Sequence, residues 1–231
     1  MRVILRDATL RRGGFRLRAA GTFSGGVHLV TGPIGSGKST LALALAGALR
    51  PETGEILREG IRSLTLALPY PGYQVTGTTL AEEAAAWGAD PGQVLEAAGL
   101  SGRGGEDPLR CSRGELKRLV LSSILARDWD LLILDEPYAH LDCAWKPVLS
   151  GRLAGRRGIT VLLTHEDEHL PRVDEIWEIR GGGLLSLGRV PGAVTRWSRP
   201  PGYLRAALER GAVPGNISPD DARDAVCRTR G

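Results

Sequence analysis

The sequence predicts an α/β fold in which a parallel sheet is covered by helices on both of its faces. Apolar runs of four or five residues, among them 131–134 and 159–163, alternate with segments of helical composition. Strands that are buried on both faces of a parallel sheet read as such continuous apolar runs. With 231 residues, the chain is long enough for one sizeable core and a small appendage.

The N-terminal half begins with short strands, separated by the glycine pairs Gly13-Gly14 and Gly25-Gly26. Strands are predicted at 2–6, 15–19, 27–31, 55–58 and 63–68, and a helix at 41–49 that Pro51 and Gly54 end. Two short helices, at 79–87 and 93–98, and a loop at 102–108 then form a small helical insert.

The C-terminal half starts with the longest predicted helix, at 113–127, which leads into the strand at 131–134. A helix at about 145–155, a strand at 159–163, two strands near 175–187 and two short helices at 203–210 and 218–227 complete the pattern. We therefore divide the chain into a main domain at 1–188, with a helical subdomain at about 74–126, and a short helical C-terminal extension at 189–231.

The composition, 42% hydrophobic and 24% charged, is typical of globular domains. No apolar run approaches the roughly 18–20 residues of a membrane span, and the N-terminus reads as a strand rather than a signal peptide. Cys111, Cys143 and Cys227 are too scattered for a disulfide framework. We expect a cytoplasmic protein that is peripheral on the inner face of the cell membrane, which it contacts through a partner.

The whole net charge of +4 falls within residues 189–231, which hold eight arginines and four acids. A basic tail can contact nucleic acid or anionic lipid. Because these arginines are spread singly, a solvated surface is the favoured interpretation, and no direct nucleic-acid contact is expected.

A glycine-rich loop between a predicted strand and a predicted helix fits the pattern G-x-x-x-x-G-K-[ST]. Its glycines let backbone N–H groups point inward around phosphate oxygens, and the following helix adds its positive N-terminal end. Lys38 would reach the β- and γ-phosphates, and the Ser39 hydroxyl would bind Mg²⁺. The loop residues are Gly32, Pro33, Ile34, Gly35, Ser36, Gly37, Lys38, Ser39 and Thr40.

Two carboxylates, Asp135 and Glu136, follow the apolar strand at 131–134. Strands of such sheets deliver their carboxyl ends to the ligand crevice. Asp135 would bind Mg²⁺, directly or through water, and Glu136 would act as the general base on the attacking water. Alone, the pair would equally fit an acid-rich turn, but together with the phosphate loop it indicates a nucleotide-hydrolysing site.

Several motifs in order resemble the ABC ATPase family over about residues 27–188. Cys111-Ser112-Arg113-Gly114-Glu115 resembles the signature L-S-G-G-Q and lies 23 residues before Asp135. The segment 134–142 is similar to the acidic strand end that runs into the D-loop, and His165 to the switch histidine that follows a strand. The resemblance implies the ABC ATPase form of the P-loop NTPase fold, with a mixed sheet and a helical subdomain.

The resemblance also implies roles, with ATP and Mg²⁺ as cofactors. Ser112 and Gly114 would contact the γ-phosphate held by the opposite subunit, Asp142 would couple the two sites, and His165 would bind the γ-phosphate and the water. The partners would be a second ABC ATPase subunit, as a homodimer or a heterodimer, and an integral membrane transport subunit. His28, His140 and His169 are interpreted as structural.

A narrower resemblance, to energy-coupling-factor ATPases for vitamin and cobalt or nickel uptake, rests on the segment 70–83 and on the tail from Pro200 onward. Departures accompany it. The Q-loop glutamine falls on Pro69, so either Gln74 replaces it or the metal contact weakens. Near position 12 there is no aromatic residue to stack on adenine, so Arg11 or Arg12 would cover the base by a cation–π contact.

Two positions of the signature also differ from the family pattern. Arg113 replaces a glycine and Glu115 the glutamine, and the Glu115 carboxylate must point away from the phosphate.

Three functions compete: a transport ATPase, a non-transport ABC ATPase acting on nucleic acid, ribosomes or cofactor assembly, and a structural subunit that binds ATP without hydrolysing it. The second usually carries a long insert or a tandem cassette, which 231 residues do not accommodate, and the third is supported by Pro69 alone. The transport ATPase, of energy-coupling-factor type, is the favoured function.

Overall fold

The computed structural model describes residues 1–229, and its centre is a single nine-stranded sheet. Arg230 and Gly231, the end of the predicted extension, lie outside the described residues. The strands are β1 (Arg2–Arg12), β2 (Phe15–Phe23), β3 (Gly26–Thr31), β4 (Thr53–Glu59), β5 (Leu64–Ala67), β6 (Leu131–Asp135), β7 (Ile159–Leu163), β8 (Glu175–Arg180) and β9 (Gly183–Arg189).

Helices cover the sheet and form the insert. They are α1 (Lys38–Ala46), α2 (Leu80–Ala86), α3 (Pro91–Ala98), α4 (Arg113–Leu125), α5 (Trp145–Leu153), α6 (Gly202–Glu209) and α7 (Pro219–Arg228). Short 3-10 turns lie at Pro71–Tyr73, Pro108–Arg110 and Val194–Arg196. Among residues 1–229, no helix combines the length and the apolar character that crossing a bilayer requires.

The sheet is mixed, with the strand order β4-β1-β2-β9-β8-β3-β7-β6-β5. Strands β8, β3, β7, β6 and β5 run parallel, whereas β4, β1 and β2 pair antiparallel. All residues of β6 and β7 are buried, but burial along β1 alternates because that strand has one exposed face. The mixed sheet of the expected fold is therefore confirmed.

Several elements differ in length from the sequence prediction, and β2, which continues to Phe23 instead of ending at 19, is one of them. Strand β1 continues beyond the polar pair Arg6-Asp7, because a bulge with a positive φ of 45° at Asp7 absorbs the irregularity and pairing resumes at Ala8. Helix α1 begins at Lys38 and ends before Gly47, whose left-handed φ of 84° terminates it ahead of Pro51.

Two apolar cores lie on the opposite faces of the sheet. On one face Leu41 and Leu45 of α1 pack with Ile133 and Val161. On the other, Leu121 and Leu149 pack with Leu132, and the C-terminal helices join this same core. A third cluster joins α2, α3 and α4 in the helical insert.

The C-terminal extension is held to the main body by polar contacts as well. The Asn216 side chain accepts from the Val173 amide and donates to its carbonyl, both at 2.9 Å. The Tyr203 hydroxyl donates to the Ile217 carbonyl at 2.6 Å. These bonds fix the turn between α6 and α7 against the segment that enters β8.

Candidate functional site

The carboxyl ends of three adjacent parallel strands, β3, β7 and β6, meet at one edge of the sheet and position the site. The phosphate loop follows β3, Thr164 and His165 follow β7, and Asp135 and Glu136 lie at the end of β6. Because Asp135 is in register with Leu163, the residues after both strands emerge side by side. The structure thus brings together the loop, the acid pair and His165.

The phosphate loop has the tight backbone that its glycines predict. Gly37 and Gly35 have positive φ angles of 101° and 81°, which an L side chain rarely adopts. A Cβ at Gly32 would come within 2.7 Å of the Ser36 hydroxyl. The Lys38 side chain is buried and its ammonium donates to the carbonyl of Gly32 at 2.9 Å. The lysine ammonium is therefore held inside the loop, where an anion such as phosphate would bind.

Asp135 is only 1% exposed, and burial raises the pKa of its carboxyl, while the nearby Ser39 hydroxyl opposes that change in part. Among residues 1–229, its Oδ1 atom has no hydrogen-bond partner. A buried, unpaired carboxylate oxygen beside a hydroxyl is the oxygen donor set that Mg²⁺ prefers, so Asp135 and Ser39 fit the metal.

The Glu136 carboxylate links the loop to the strand ends. Its Oε1 lies 3.4 Å from Lys38 Nζ and 2.8 Å from His165 Nδ1. Its Oε2 accepts from the Thr164 hydroxyl at 3.1 Å and from the His165 amide at 3.2 Å. The backbone of Glu136 has a positive φ of 48°, an unfavourable conformation that recurs at functional sites.

The cleft around these groups has a volume of about 420 Å³ and is open to solvent. It is lined by Arg12, Phe15, Ile34, Gly35, Gly37, Lys38, Ser39, Thr40, Glu136 and His165. Arg12 is thus at the cleft, whereas Arg11 forms an ion pair with Glu52.

Phe15 is the functional candidate that sequence reasoning missed. It is the cross-strand partner of Arg12, and its ring lies so close to Gly37 that a Cβ there would overlap it. Position 12 lies on the first strand of the hairpin, whereas the aromatic residue stands on the second strand, directly opposite it. Counting across the Gly13-Gly14 turn would have found it.

Ser112 and Gly114 are absent from the residues that line the cleft of their own chain. Ser112 instead begins α4, where its hydroxyl accepts from the Glu115 amide at 3.2 Å and the Glu115 carboxylate accepts from the Ser112 amide at 2.8 Å. This is a capping box. Arg103 binds the other Glu115 oxygen and holds the pKa of that carboxyl at about 2. The carboxylate therefore points back toward the helix start.

Gly114 lies against the D-loop, since a Cβ there would meet the His140 carbonyl oxygen at 2.9 Å. Asp142 accepts from the Trp145 amide at 2.8 Å and lies 3.5 Å from Arg118, with its side chain 58% exposed. The signature segment and the D-loop are thus neighbours within one chain.

The sequence suggested that Gln74 replaces the Q-loop glutamine and contacts the metal. In the structure its side chain bonds to the backbone at the end of β5 instead. The Gln74 side-chain oxygen accepts from the Leu68 amide and its nitrogen donates to the Leu66 carbonyl, both at 2.7 Å. Its amide extends the edge of the sheet, and Gln74 does not line the cleft. Pro69 offers its carbonyl to the ammonium of Lys117, at 3.1 Å.

Comparison with known proteins gives consistent matches. The model of a family described as ABC transporter matches residues 21–139. The energy-coupling factor transporter ATP-binding protein EcfA1 of Thermotoga maritima is 37% identical over 184 residues, which cover 70% of each chain. The thiamine import ATP-binding protein ThiQ of Cereibacter sphaeroides is 33% identical over 224 residues, 86% of this chain and 96% of that one.

A solved structure described as the ATP binding subunit of an ABC transporter superposes with a TM-score of 0.71. The superposition covers 98% of this chain and all of the other, at 17% identity, and so bears on the fold alone.

Proposed function

Because this chain belongs to the ABC transporter family and is an ATP-binding ATPase of that family, we propose that it powers an importer of the energy-coupling-factor type. In this proposal two such subunits enclose two ATP molecules and act on an integral membrane subunit, which keeps the chain at the inner face of the membrane. The relatives named for energy coupling and for thiamine import support the importer assignment.

The observation that carries the proposal is the separation of the two halves of the site. Most of the phosphate loop, together with Glu136 and His165, lines the cleft of one chain, whereas Ser112 and Gly114 do not line it. A two-fold dimer would bring the Ser112 helix end of each chain to the cleft of the other. The helix N-terminus and the Ser112 hydroxyl would then contact the γ-phosphate from the open side.

Within the cleft, the backbone of residues 32–40 would surround the β- and γ-phosphates, and Lys38 would move from the Gly32 carbonyl to the phosphate oxygens. Ser39 and Asp135 would hold Mg²⁺, which when bound neutralises phosphate charge. Phe15 would stack on the base, with Arg12 beside it.

Glu136 is the proposed general base. Four contacts orient its carboxylate, and the His165 ring at 2.8 Å is placed to contact both the base and the γ-phosphate. Asp142, on the exposed D-loop, would meet the second subunit and connect the two sites. Gln74 would act indirectly, by fixing the segment that leads from β5 into the helical insert.

A mixing experiment tests the composite site. We expect a Lys38→Ala chain and a Ser112→Arg chain each to be inactive, since each lacks one half of both sites. In a mixed dimer both defects fall in one site and the other is intact, so random mixing should recover about a quarter of the wild-type rate. If the unmutated protein hydrolyses ATP but the mixture of the two variants stays inactive, the head-to-tail arrangement is contradicted.

The transport assignment is tested separately, by purifying the full chain from detergent-solubilised membranes. Association with an integral membrane subunit that stimulates its ATPase rate supports the proposal. Stimulation by ribosomes or DNA instead would favour a non-transport ABC ATPase.

A further inference from the structure

Lys117 is a buried cation on α4 that neither the phosphate loop nor the signature accounts for. Its side chain is 1% exposed. The ammonium donates to the carbonyls of Leu68 and Pro69, both at 3.1 Å, across 49 and 48 residues of sequence. A methionine of similar length would fill the same volume without the cost of burying a charge, so packing alone does not explain a lysine here.

The charge of Lys117 acts on the acid pair. Burial lowers the pKa of Lys117 to about 8, while the attraction of Asp135 and Glu136 opposes that change. Lys117 is also one of the cations that lower the pKa of Asp135, against the larger effect of burial. The sheet supplies the geometry: Ala67 at the end of β5 is in register with Leu134 of β6, so residues 68–69 lie beside Asp135 and Glu136, at the edge of β6 that does not face β7. Because Lys117 is bound to residues 68–69, its ammonium is held near these carboxylates.

The segment that Lys117 contacts has few polar groups of its own. Pro69 has no N–H and an apolar side chain, and the Leu68 amide is bound to Gln74. The segment is therefore held by two side chains, the Gln74 amide and the Lys117 ammonium. Without Lys117, two partly buried carbonyls would lose a charged donor.

Helix α4 carries residues that contact both nucleotide sites of the proposed dimer, one in each chain. The helix begins at the Ser112 cap, which would contact the nucleotide of the second chain, and one turn later Lys117 contacts the segment beside the acid pair of its own chain. A shift of the α4 N-terminus would move the ammonium relative to Asp135 and Glu136.

We infer that Lys117 is a positioning residue of the ATPase site: it fixes residues 68–69 and the start of α4 beside the acid pair, and its charge limits the affinity of that pair for Mg²⁺. This inference rests on the proposed function. The Lys117 ammonium would have two effects. It would align Glu136 for hydrolysis, and it would repel the metal held at Asp135 and Ser39.

Three substitutions separate geometry from charge. Lys117→Met removes the donor and the charge, Lys117→Gln retains a donor, and Lys117→Arg retains both. Ser123→Ala is the matched control, because Ser123 is buried on the same helix and bonds only the Leu119 carbonyl of that helix. Thermal unfolding of each full-length variant shows whether it folds.

We expect Lys117→Met to lower kcat about tenfold while KM for ATP changes less than about threefold, since the phosphate loop is untouched. Magnesium-dependent binding of a non-hydrolysable ATP analogue, measured by calorimetry, should reach half-saturation at a several-fold lower Mg²⁺ concentration in both the Met and Gln variants. Lys117→Arg should restore both properties, and Ser123→Ala should match the wild type.

Folded Met and Gln variants with wild-type Mg²⁺ dependence would overturn the inference, as would activity losses that follow the fall in Tm and are not restored by Arg. Because the calorimetric measurement needs no hydrolysis, it distinguishes failure of this inference from failure of the proposed ATPase function.

Discussion

Replacing Glu136 with glutamine removes one negative charge and the proposed base while nearly preserving the shape of the side chain. The amide oxygen can still accept from Thr164 or from the His165 amide, which now lie 3.1 and 3.2 Å from Oε2. The amide nitrogen, however, is a donor where Lys38 and His165 now meet a carboxylate oxygen. The variant should therefore fold, bind nucleotide and fail in hydrolysis.

The magnitude follows from the Lys38–Glu136 pair, whose atoms are 3.4 Å apart and whose side chains are 7% and 16% exposed. At an effective dielectric constant of 20 the gross attraction is about 5 kcal/mol, most of which is offset by desolvation. In the variant Lys38 can move to the phosphate oxygens without breaking an ion pair. ATP should therefore bind about tenfold more tightly, which corresponds to about 1.4 kcal/mol. Loss of a positioned base should lower kcat by about 10²–10⁴-fold.

Single-turnover hydrolysis and size-exclusion chromatography with MgATP measure the two effects. We expect a dimer that elutes with intact ATP. Glu168→Gln is the matched control, because that glutamate lies in the loop after His165 with its side chain 69% exposed. Turnover of Glu136→Gln within threefold of the wild-type rate would refute the assignment of Glu136 as the base.

Three further predictions concern neighbouring features. Phe15→Ala should weaken ATP binding about tenfold through lost stacking, and Phe15→Tyr should retain it, as measured by calorimetry. Because Arg103 and the helix start lower the pKa of Glu115 to about 2, its contribution to stability is present above its unfolded pKa near 4.5 and is lost as pH falls through 2. Glu115→Gln should cost about 1 kcal/mol at pH 7 after allowing for solvent screening, with a smaller difference at pH 3, in urea unfolding. Asn216→Ala should cost about 1–3 kcal/mol in the same assay, because it leaves both polar groups of Val173 unpaired.

Features that depend on local sequence were predictable here. The apolar runs of β6 and β7, the glycine loop and the acid pair each occupy a few consecutive residues, and the parallel arrangement then fixes which ends meet. The capping box from Ser112 to Glu115 is equally local, and it turns the Glu115 carboxylate back toward the helix start. The sequence required this carboxylate to point away from phosphate.

Features that depend on contacts between distant segments were not predictable. Nothing within five residues of Gln74 indicates that its amide bonds to the end of β5 rather than facing a nucleotide. Lys117 meets its two partners across 49 and 48 residues, and a lysine in a helical pattern is ordinarily exposed. Phe15 was missed for a similar reason, since its place at the cleft depends on hairpin pairing with Arg12.

The contacts of Lys38 and Glu136 also order the events at the site. Lys38 donates to the Gly32 carbonyl and pairs with Glu136, so incoming phosphate oxygens must take the ammonium from both. Once they do, the Oε1 atom of Glu136 keeps only its contact with the His165 ring and can meet the attacking water. The arrival of the phosphate would thus free the proposed base at the same time as it places the substrate beside it.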